Sequence, residues 1–170
     1  MINEKVAKLL NTQINKEFYS AYLYLSFANY FEDRGLDGFA NWYNIQAQEE
    51  RDHAMLFLQY MQNNDLSVTF DAIDKPSVAL DSDMGVLKAG LEHERYVTAL
   101  INTIYKAAAE DNDYRTVQFL DWFVKEQGEE ETNATDLIKK MEVFGSDAKG
   151  LYMLNQELGG RTYSAPSLTL

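Results

Sequence analysis

Glu50 and His53 form an E-x-x-H sequence, which on a helix places a carboxylate and an imidazole one turn apart on the same face. Such a tetrapeptide is weak evidence alone because it is common by chance. Further glutamates interrupt apolar patterns in the same way at Glu17, Glu94 and Glu130. The chain has no cysteine, which excludes thiolate zinc sites and iron–sulfur clusters. A cluster of carboxylates with one imidazole favours iron or manganese.

Long amphipathic helices must position these residues. Apolar residues recur at spacings of three and four, which is the period of an α-helix. The pattern predicts four long helices at residues 3–34, 37–64, 82–109 and 113–145, and neither of the two prolines, Pro76 and Pro166, interrupts them. A short fifth helix is predicted from Asp147 to Leu158, before Gly159 and Gly160, with the apolar residues Leu151, Tyr152, Leu154 and Leu158.

The junctions between the helices predict their directions. The first and third junctions, at Gly35 to Gly38 and at Asp111 to Asp113, are short enough to make the flanking helices antiparallel neighbours. The second junction, residues 65–81, is long enough at about 3.3 Å per residue to return along a whole helix, so helices two and three should be parallel. The predicted fold is all-α: a four-helix bundle with one long crossover and a short fifth helix over residues 1–158, followed by a loose tail, 159–170.

The polar interruptions repeat at an offset of 77 residues, which relates Glu17 to Glu94, Glu50 to Gln127 and His53 to Glu130. The repeat predicts two related helical hairpins. Counting about 1.5 Å per residue from each turn, all six side chains reach one level of the bundle within about 5 Å. Four buried carboxylates need protons or cations to balance them, and no Lys or Arg occupies these positions. Two divalent cations about 3.5 to 4 Å apart would balance the four charges.

Composition narrows the possible partners. The formal net charge is -12, from 15 Lys and Arg against 27 Asp and Glu, which opposes binding to nucleic acid or to an anionic membrane surface. The first residues lack the apolar core of a signal peptide, and no apolar run of about 18 residues occurs. We therefore expect no nucleic-acid partner, no membrane association and a cytoplasmic location.

Together these features resemble the ferritin-like di-iron proteins, in which two helices each carry a Glu and the other two each carry E-x-x-H. The chain matches this pattern over roughly residues 3–158 and departs from it at Gln127-x-x-Glu130, which replaces the second E-x-x-H. That replacement resembles the bacterial non-haem ferritins. Bacterioferritins have a haem-ligating Met after the Glu of the first motif. Arg51 occupies this position here, so no haem is expected.

The resemblance implies an iron centre. Glu17, Glu50 and His53 would bind one iron, Glu50 would bridge to a second iron held by Glu94 and Glu130, and Gln127 would adjoin both. Tyr24 would hydrogen-bond a ligand and supply an electron during oxygen chemistry, although an aromatic core residue explains it equally well. A third iron is implied at a second acidic group, for which a solvated acidic face is the alternative; its members are Glu49, Glu126, Glu129 and Glu130.

Several other residues have simpler explanations. Trp122 resembles a tryptophan near the centre in bacterial ferritins, and packing is its expected role. Gln118 and Asp121 are expected to line three-fold pores. His93 is about 100° away from the apolar stripe and is predicted to lie at the surface. Gly128 is unusual in a helix interior and suggests the close approach of a neighbour.

The resemblance also implies a function. An iron-storage ferritin would oxidise Fe(II) with dioxygen or hydrogen peroxide and store Fe(III) as hydrous oxide inside a homo-oligomeric shell of 24 subunits, with the fifth helix at the four-fold axes. A non-storing di-iron or di-manganese oxidase or peroxidase is the main alternative. A DNA-protecting mini-ferritin is disfavoured because the ligand set is complete in one chain and a fifth helix is present. A helical interaction module, whose buried carboxylates only fix helix register, would bind no metal.

Overall fold

The computed structural model describes residues 2–170, which form five α-helices and no β-strand. The helices are α1 (Glu4–Asp33), α2 (Asp37–Asn63), α3 (Asp83–Glu110), α4 (Tyr114–Phe144) and α5 (Ala148–Gly159). Their ends lie within one residue of the predicted ends, so the all-α fold class is confirmed. No helix within residues 2–170 has the length and apolar character needed to cross a membrane.

Most of the helices begin at a residue that caps them. A side-chain oxygen accepts a hydrogen bond from a backbone N–H of the first turn at Asn3, Ser82, Asp113 and Asp147. The exception is α2, because Leu36 has no polar side chain to act as a cap. Asn155 of α5 takes this role, since its Oδ1 accepts hydrogen bonds from the backbone N–H groups of Gly38 at 2.8 Å and Phe39 at 3.2 Å.

This cap fixes α5 against its own bundle. A Cβ atom on Gly38 would lie 1.7 Å from the backbone oxygen of Asn155, so only glycine permits the approach. Leu154 and Leu158 on the inner face of α5 are buried and Leu151 packs against the same cluster, whereas Tyr152 is 64% exposed. Packing on the same chain therefore explains three of the four apolar residues that predicted α5.

The crossover between α2 and α3 runs along α1. The Asn11 side chain pairs with the backbone of Thr69 through two hydrogen bonds of 3.0 and 2.8 Å. At the other end of α1, Asp83 lies 2.5 Å from Nε of Arg34 and accepts a hydrogen bond from Tyr30. Since α3 begins where α1 ends and α2 begins, α2 and α3 are parallel, as the length of the junction predicted.

A polar layer divides the core into two apolar clusters. One cluster lies towards α5 and includes Leu23, Phe27, Phe31, Phe39, Tyr43, Leu87, Leu137 and Leu154. The other lies towards the opposite end and includes Val6, Leu10, Ile14, Phe57, Val97, Ile101, Phe119 and Phe123. On each long helix the residues between the clusters include buried polar side chains. Apolar packing on both sides holds that layer away from water.

The C-terminal tail, residues 161–170, differs from expectation. It has no regular secondary structure, but it is attached to α2 and α4 instead of being loose. The Arg161 side chain bonds to α2, and the indole Nε1 of Trp122 on α4 donates a hydrogen bond to Ser167 at 3.0 Å. Leu168 packs against the second apolar cluster. These contacts join residues far apart in the sequence, which local composition cannot reveal.

Candidate metal centre

All six residues predicted to converge lie in the polar layer between the two apolar clusters. α1 supplies Glu17, α2 supplies Glu50 and His53, α3 supplies Glu94, and α4 supplies Gln127 and Glu130. Each is at most 5% exposed. Charged side chains are rarely buried to this degree unless something compensates them.

Three of the six form a compact group. Glu17, Glu50 and His53 each place one potential ligand atom within 4.8 Å of the others, and His53 Nδ1 lies 3.5 Å from Glu50 Oε2. Gln13 donates a hydrogen bond to Glu17 Oε1 at 2.8 Å. Glu17 Oε2 is buried without a hydrogen-bond partner among residues 2–170. A buried carboxylate oxygen without a partner is unfavourable in free energy, and a cation would satisfy it.

The other carboxylates of the layer are held by uncharged donors. The Tyr24 hydroxyl donates to Glu94 Oε1, and Gln127 Nε2 donates to Glu94 Oε2 at 3.1 Å. Gln46 Nε2 donates to Glu130 Oε2 at 2.7 Å and lies 3.5 Å from Glu50 Oε1. Gln46 thus links Glu130 to Glu50 of the compact group, whereas Glu94 is held by Tyr24 and Gln127, which lie outside that group.

The electrostatics of the layer favour added positive charge. Burial raises the pKa of each carboxyl group in it, and most strongly at Glu17, Glu50 and Glu130. Repulsion from a neighbouring carboxylate raises the pKa further, from Glu50 at Glu17 and from Glu94 at Glu50 and Glu130. No Lys or Arg within residues 2–170 forms a salt bridge with these four glutamates. The donor set of carboxylates and one imidazole fits divalent iron.

Comparison with known proteins decides the family, because the family profile of the ferritin-like domain matches residues 7–144. The chain belongs to the ferritin family. It is 36% identical to the bacterial non-heme ferritin of Campylobacter jejuni over 92% of this chain and 93% of the relative. It is 34% identical to the probable bacterial non-heme ferritin-like protein of Haemophilus influenzae over 97% of this chain and all of the relative.

Solved ferritin structures agree with this membership. The open-pore ferritin of Archaeoglobus fulgidus is 41% identical and superposes with a TM-score of 0.92 over 95% of this chain and all of that one. A form of the same ferritin engineered to be closed gives 41% identity and a TM-score of 0.93, over 96% of this chain and all of that one. The resemblance drawn from Glu50-x-x-His53 and its partners is confirmed.

Two amides of this ferritin were not predicted to act at the centre. Gln13 and Gln46 each lie four residues before a glutamate of the layer and donate to a carboxylate in it. The spacing of four residues is the available signal, because it places amide and carboxylate on one helix face. Gln46 also connects α2 to Glu130 on α4, which no local spacing indicates.

The second acidic group is more dispersed. Glu49 Oε2 lies 2.5 Å from Nη2 of Arg161, and the exposed Glu129 lies 3.5 Å from Lys125 Nζ. Glu126 is half-buried, and burial raises its pKa and that of Glu49. Among residues 2–170, the only acidic or imidazole group of three within 4.8 Å is the one that contains Glu17. The third iron site stays a prediction.

His93 is not a surface residue. Its ring is half-buried between Tyr19 and Tyr24, and Nε2 lies 2.8 Å from the hydroxyl of Ser20. Burial lowers the pKa of His93 to about 4. The helix period placed it correctly away from the apolar stripe, but the neighbouring aromatic side chains of α1 cover it.

The remaining expectations concern α4. Trp122 packs edge-on against His53, with ring centroids 5.6 Å apart, in agreement with the packing role. A Cβ atom on Gly128 would meet no heavy atom within 4 Å, so the close approach of a neighbour within this chain does not explain the glycine. Gln118 and Asp121 are exposed near the start of α4, and their role in pores stays a prediction.

Proposed function

We propose that this ferritin binds Fe(II) at the polar layer, oxidises it with dioxygen or hydrogen peroxide, and stores the Fe(III) product as hydrous oxide inside a shell of identical subunits. Iron is the substrate and the cargo. Two ions would bind per chain, one at Glu17, Glu50 and His53 and the other at Glu94 and Glu130, with Glu50 bridging them and Gln127 adjacent. The second acidic group would hold a third ion.

The observation that carries the proposal is the uncompensated charge of the layer. Four buried glutamates meet one histidine and several amides, and Glu17 Oε2 has no hydrogen-bond partner among residues 2–170. Amide and hydroxyl donors orient the carboxylates but add no positive charge. Two divalent cations would neutralise the layer. Their binding would displace the protons that the buried carboxyl groups retain because their pKa values are raised.

The same residues suit oxidation. Anionic oxygen ligands stabilise Fe(III) more than Fe(II), which lowers the reduction potential and favours loss of an electron. Two ferrous ions held together supply the two electrons that reduce one dioxygen molecule to hydrogen peroxide, with two protons taken up. When hydrogen peroxide is the oxidant, its reduction to two water molecules takes two electrons and two protons. Where a single ferrous ion supplies one electron, Tyr24, whose hydroxyl donates to Glu94, would supply the other together with its hydroxyl proton.

Storage requires assembly, and one exposed surface is suited to subunit contact. A groove of about 470 Å³ between α1, α2 and the crossover is lined mainly by apolar side chains, including Phe18, Tyr22, Leu25, Ala47 and Ile73. Tyr22, Leu25 and Ile73 are each 45% exposed or more. Large exposed apolar patches mark interaction surfaces, and a second copy of this chain is the proposed partner.

Variants at the centre test the oxidation. Glu50→Ala and His53→Ala should each slow the initial aerobic oxidation of Fe(II) at least tenfold, measured by the ferric absorbance in the near ultraviolet. Lys106→Gln is the control, because Lys106 is 79% exposed on α3 and pairs with Glu110 one turn away. Particle mass should be unchanged in all three. Rapid oxidation by both centre variants would contradict the assignment.

Iron loading tests storage separately. After aerobic addition of many ferrous equivalents per chain, sedimentation should give a soluble shell near the mass of 24 subunits, with iron and protein in one particle. A monomer or dimer that oxidises iron but leaves the oxide as an external precipitate would instead identify a non-storing oxidase.

A further inference from the structure

The side chain that contacts the second acidic group most closely comes from the C-terminal tail. Arg161 Nη2 lies 2.5 Å from Glu49 Oε2, and Nη1 donates to Gln46 Oε1 at 3.0 Å and to the backbone oxygen of Trp42 at 3.1 Å. The guanidinium also lies 4.4 Å from the centroid of the Trp42 ring. One planar group thus contacts three successive turns of the same face of α2.

The first consequence of this contact concerns Gln46. An amide side chain has one acceptor end and one donor end. Because Arg161 donates to Gln46 Oε1, the NH₂ group of Gln46 must point the other way, where it donates to Glu130 and approaches Glu50. Arg161 therefore fixes the polarity of the amide that links two proposed iron ligands on different helices.

The second consequence concerns Glu49. Its carboxylate already has a positive charge beside it, in a half-buried position where solvent screens the pair only partly. A ferrous ion bound at Glu49 would lie against the guanidinium and be repelled by it. The ion and Arg161 therefore compete for the same carboxylate.

We propose that Arg161 is a tethered cation that occupies the third iron position, so that a third ion binds at Glu49 only when the C-terminal tail moves the guanidinium away. This inference rests on the proposed function. While it is bound to α2, Arg161 is also a positioning residue, because it orients Gln46 toward Glu130 and Glu50.

The tail is attached by few contacts, so its release is feasible. Its hydrogen bonds that involve a side chain are those of the Arg161 guanidinium, the bond from Asn41 Nδ2 to the backbone oxygen of Arg161, the bond between Ser167 and Trp122, and the bond from the Tyr163 hydroxyl to Asp52. Most residues of the tail are exposed, and Leu168 is half-buried. No helix has to open for the tail to leave.

Counting bound ions tests the competition. The full-length, metal-free protein is titrated with Zn²⁺, which is redox-inert, and binding is measured by calorimetry. The wild type should bind two ions tightly and a third weakly. Arg161→Gln should bind the third ion at least tenfold more tightly. It should also bind the ion at Glu94 and Glu130 severalfold more weakly, because Gln46 is no longer held toward Glu130. Arg161→Lys keeps a charge at Glu49 and should retain a weak third ion.

Two further variants show whether the effect belongs to Glu49. The double variant Glu49→Gln/Arg161→Gln should lose the gain, because the carboxylate that the ion would use is absent. Lys106→Gln removes one positive charge from an exposed position on α3, where Lys106 pairs with Glu110, and should not strengthen the third ion. Unchanged third-ion affinity in Arg161→Gln, or an equal gain in Lys106→Gln, overturns the proposal. A wild type that binds no ions tightly would overturn the proposed function as well.

A fluorescence measurement tests the movement without changing Arg161. The chain has two tryptophans, and a Trp122→Phe background leaves Trp42, on which Arg161 stacks, as the only one. Because this change also removes the bond from Trp122 to Ser167, the background is used only if it binds the three ions with wild-type affinities. Trp42 emission should change with the third Zn²⁺ equivalent and not with the first two. A third ion that binds without any change in emission would show that Arg161 stays in place, contrary to the proposal.

Discussion

At the scale of single residues, the centre pairs each acid with an uncharged donor. Gln13 donates to Glu17, Gln46 to Glu130, and Gln127 and Tyr24 to Glu94. An ammonium or guanidinium in these places would hold the carboxylates equally well but would cancel the charge that attracts ferrous ions. Amides and a phenol orient the ligands and leave their charge available for metal.

Tyr24 illustrates this role and gives a first prediction. Burial and the nearby Glu94 raise the pKa of its hydroxyl well above the usual value, so it remains a protonated donor. Tyr24→Phe removes one of the two donors to the Glu94 carboxylate, which should lower the stability of the metal-free protein by about 1 to 3 kcal/mol. It should also slow iron oxidation severalfold while two ions still bind. Chemical unfolding and stopped-flow absorbance measure the two effects.

Tyr43→Phe is the matched control for Tyr24→Phe. Tyr43 is equally buried in the same apolar cluster, and its hydroxyl forms no hydrogen bond with any side chain or backbone group among residues 2–170. Its removal should change stability by less than about 1 kcal/mol. Equal losses in both variants would show that the Tyr24 hydroxyl acts only through packing.

The sequence predicted those residues of the centre that have a local signature. Glu50 and His53 are a motif, and Glu17, Glu94, Gln127 and Glu130 follow from helix period and the internal repeat. Arg161 has neither signal, because it lies 115 residues from Gln46 in a segment without periodicity. Its role depends on the path of the tail, which side-chain contacts across the folded chain determine.

At the scale of elements, the attachment of α5 to α2 depends on one glycine. Gly38→Ala would place a methyl group against the backbone of Asn155 and force α5 away from the start of α2. Two hydrogen bonds from the α2 backbone to Asn155 would then be lost. We expect a loss of about 3 kcal/mol in the stability of the metal-free protein, measured by chemical unfolding.

Gly128→Ala is the opposite case within α4. Its added methyl group meets no atom within 4 Å, and alanine is favoured over glycine in a helix by about 1 kcal/mol. This variant should therefore be more stable than wild type by up to that amount. If Gly38→Ala were also neutral or stabilising, the cap from Asn155 would not hold α5 in place.

The helices themselves were predictable because their signals are local. The apolar period sets their lengths, capping residues set four of their starts, and the long junction sets the crossover. The apolar pattern of α5 does not by itself show what the helix packs against, since burial on its own bundle and burial at a shell axis require the same pattern. The contact between Gly38 and Asn155 shows that α5 packs on its own bundle, and no local pattern indicates this contact.

At the scale of the whole molecule, the polar layer opposes stability when no metal is bound. The chain carries a formal charge of -12, and four of its acids lie where water cannot solvate them. In the unfolded chain these carboxyls ionise near the ordinary glutamate pKa of 4.5, whereas in the folded protein their pKa values are raised. The folded state therefore retains protons that the unfolded state releases as pH increases above 4.5.

The sign of this linkage gives the pH dependence of the metal-free protein. Where the folded state binds more protons, the free energy of unfolding decreases with rising pH, by up to about 1.4 kcal/mol per pH unit for each retained proton. The contribution is favourable at low pH and is lost between 4.5 and the raised pKa values. Bound divalent cations replace the protons, so added Zn²⁺ should restore stability most at the higher pH.

Glu17→Gln isolates one acid of the layer. Its Oε1 can still accept from Gln13, and the new NH₂ group occupies the position of Oε2, which has no hydrogen-bond partner among residues 2–170. Removing one buried acid should stabilise the metal-free protein by about 1 to 3 kcal/mol at a pH where Glu17 would ionise, and it should make the unfolding midpoint less dependent on pH above the ordinary glutamate pKa of 4.5. Added Zn²⁺ should stabilise it less than wild type.

Glu110→Gln is the control, because Glu110 is an exposed glutamate on α3. It should leave the stability of the metal-free protein, the pH dependence of its unfolding and its stabilisation by Zn²⁺ unchanged. A variant at Glu17 that was less stable than wild type without metal would mean that the layer is not strained by its own charge, and the case for cation binding would lose its physical basis.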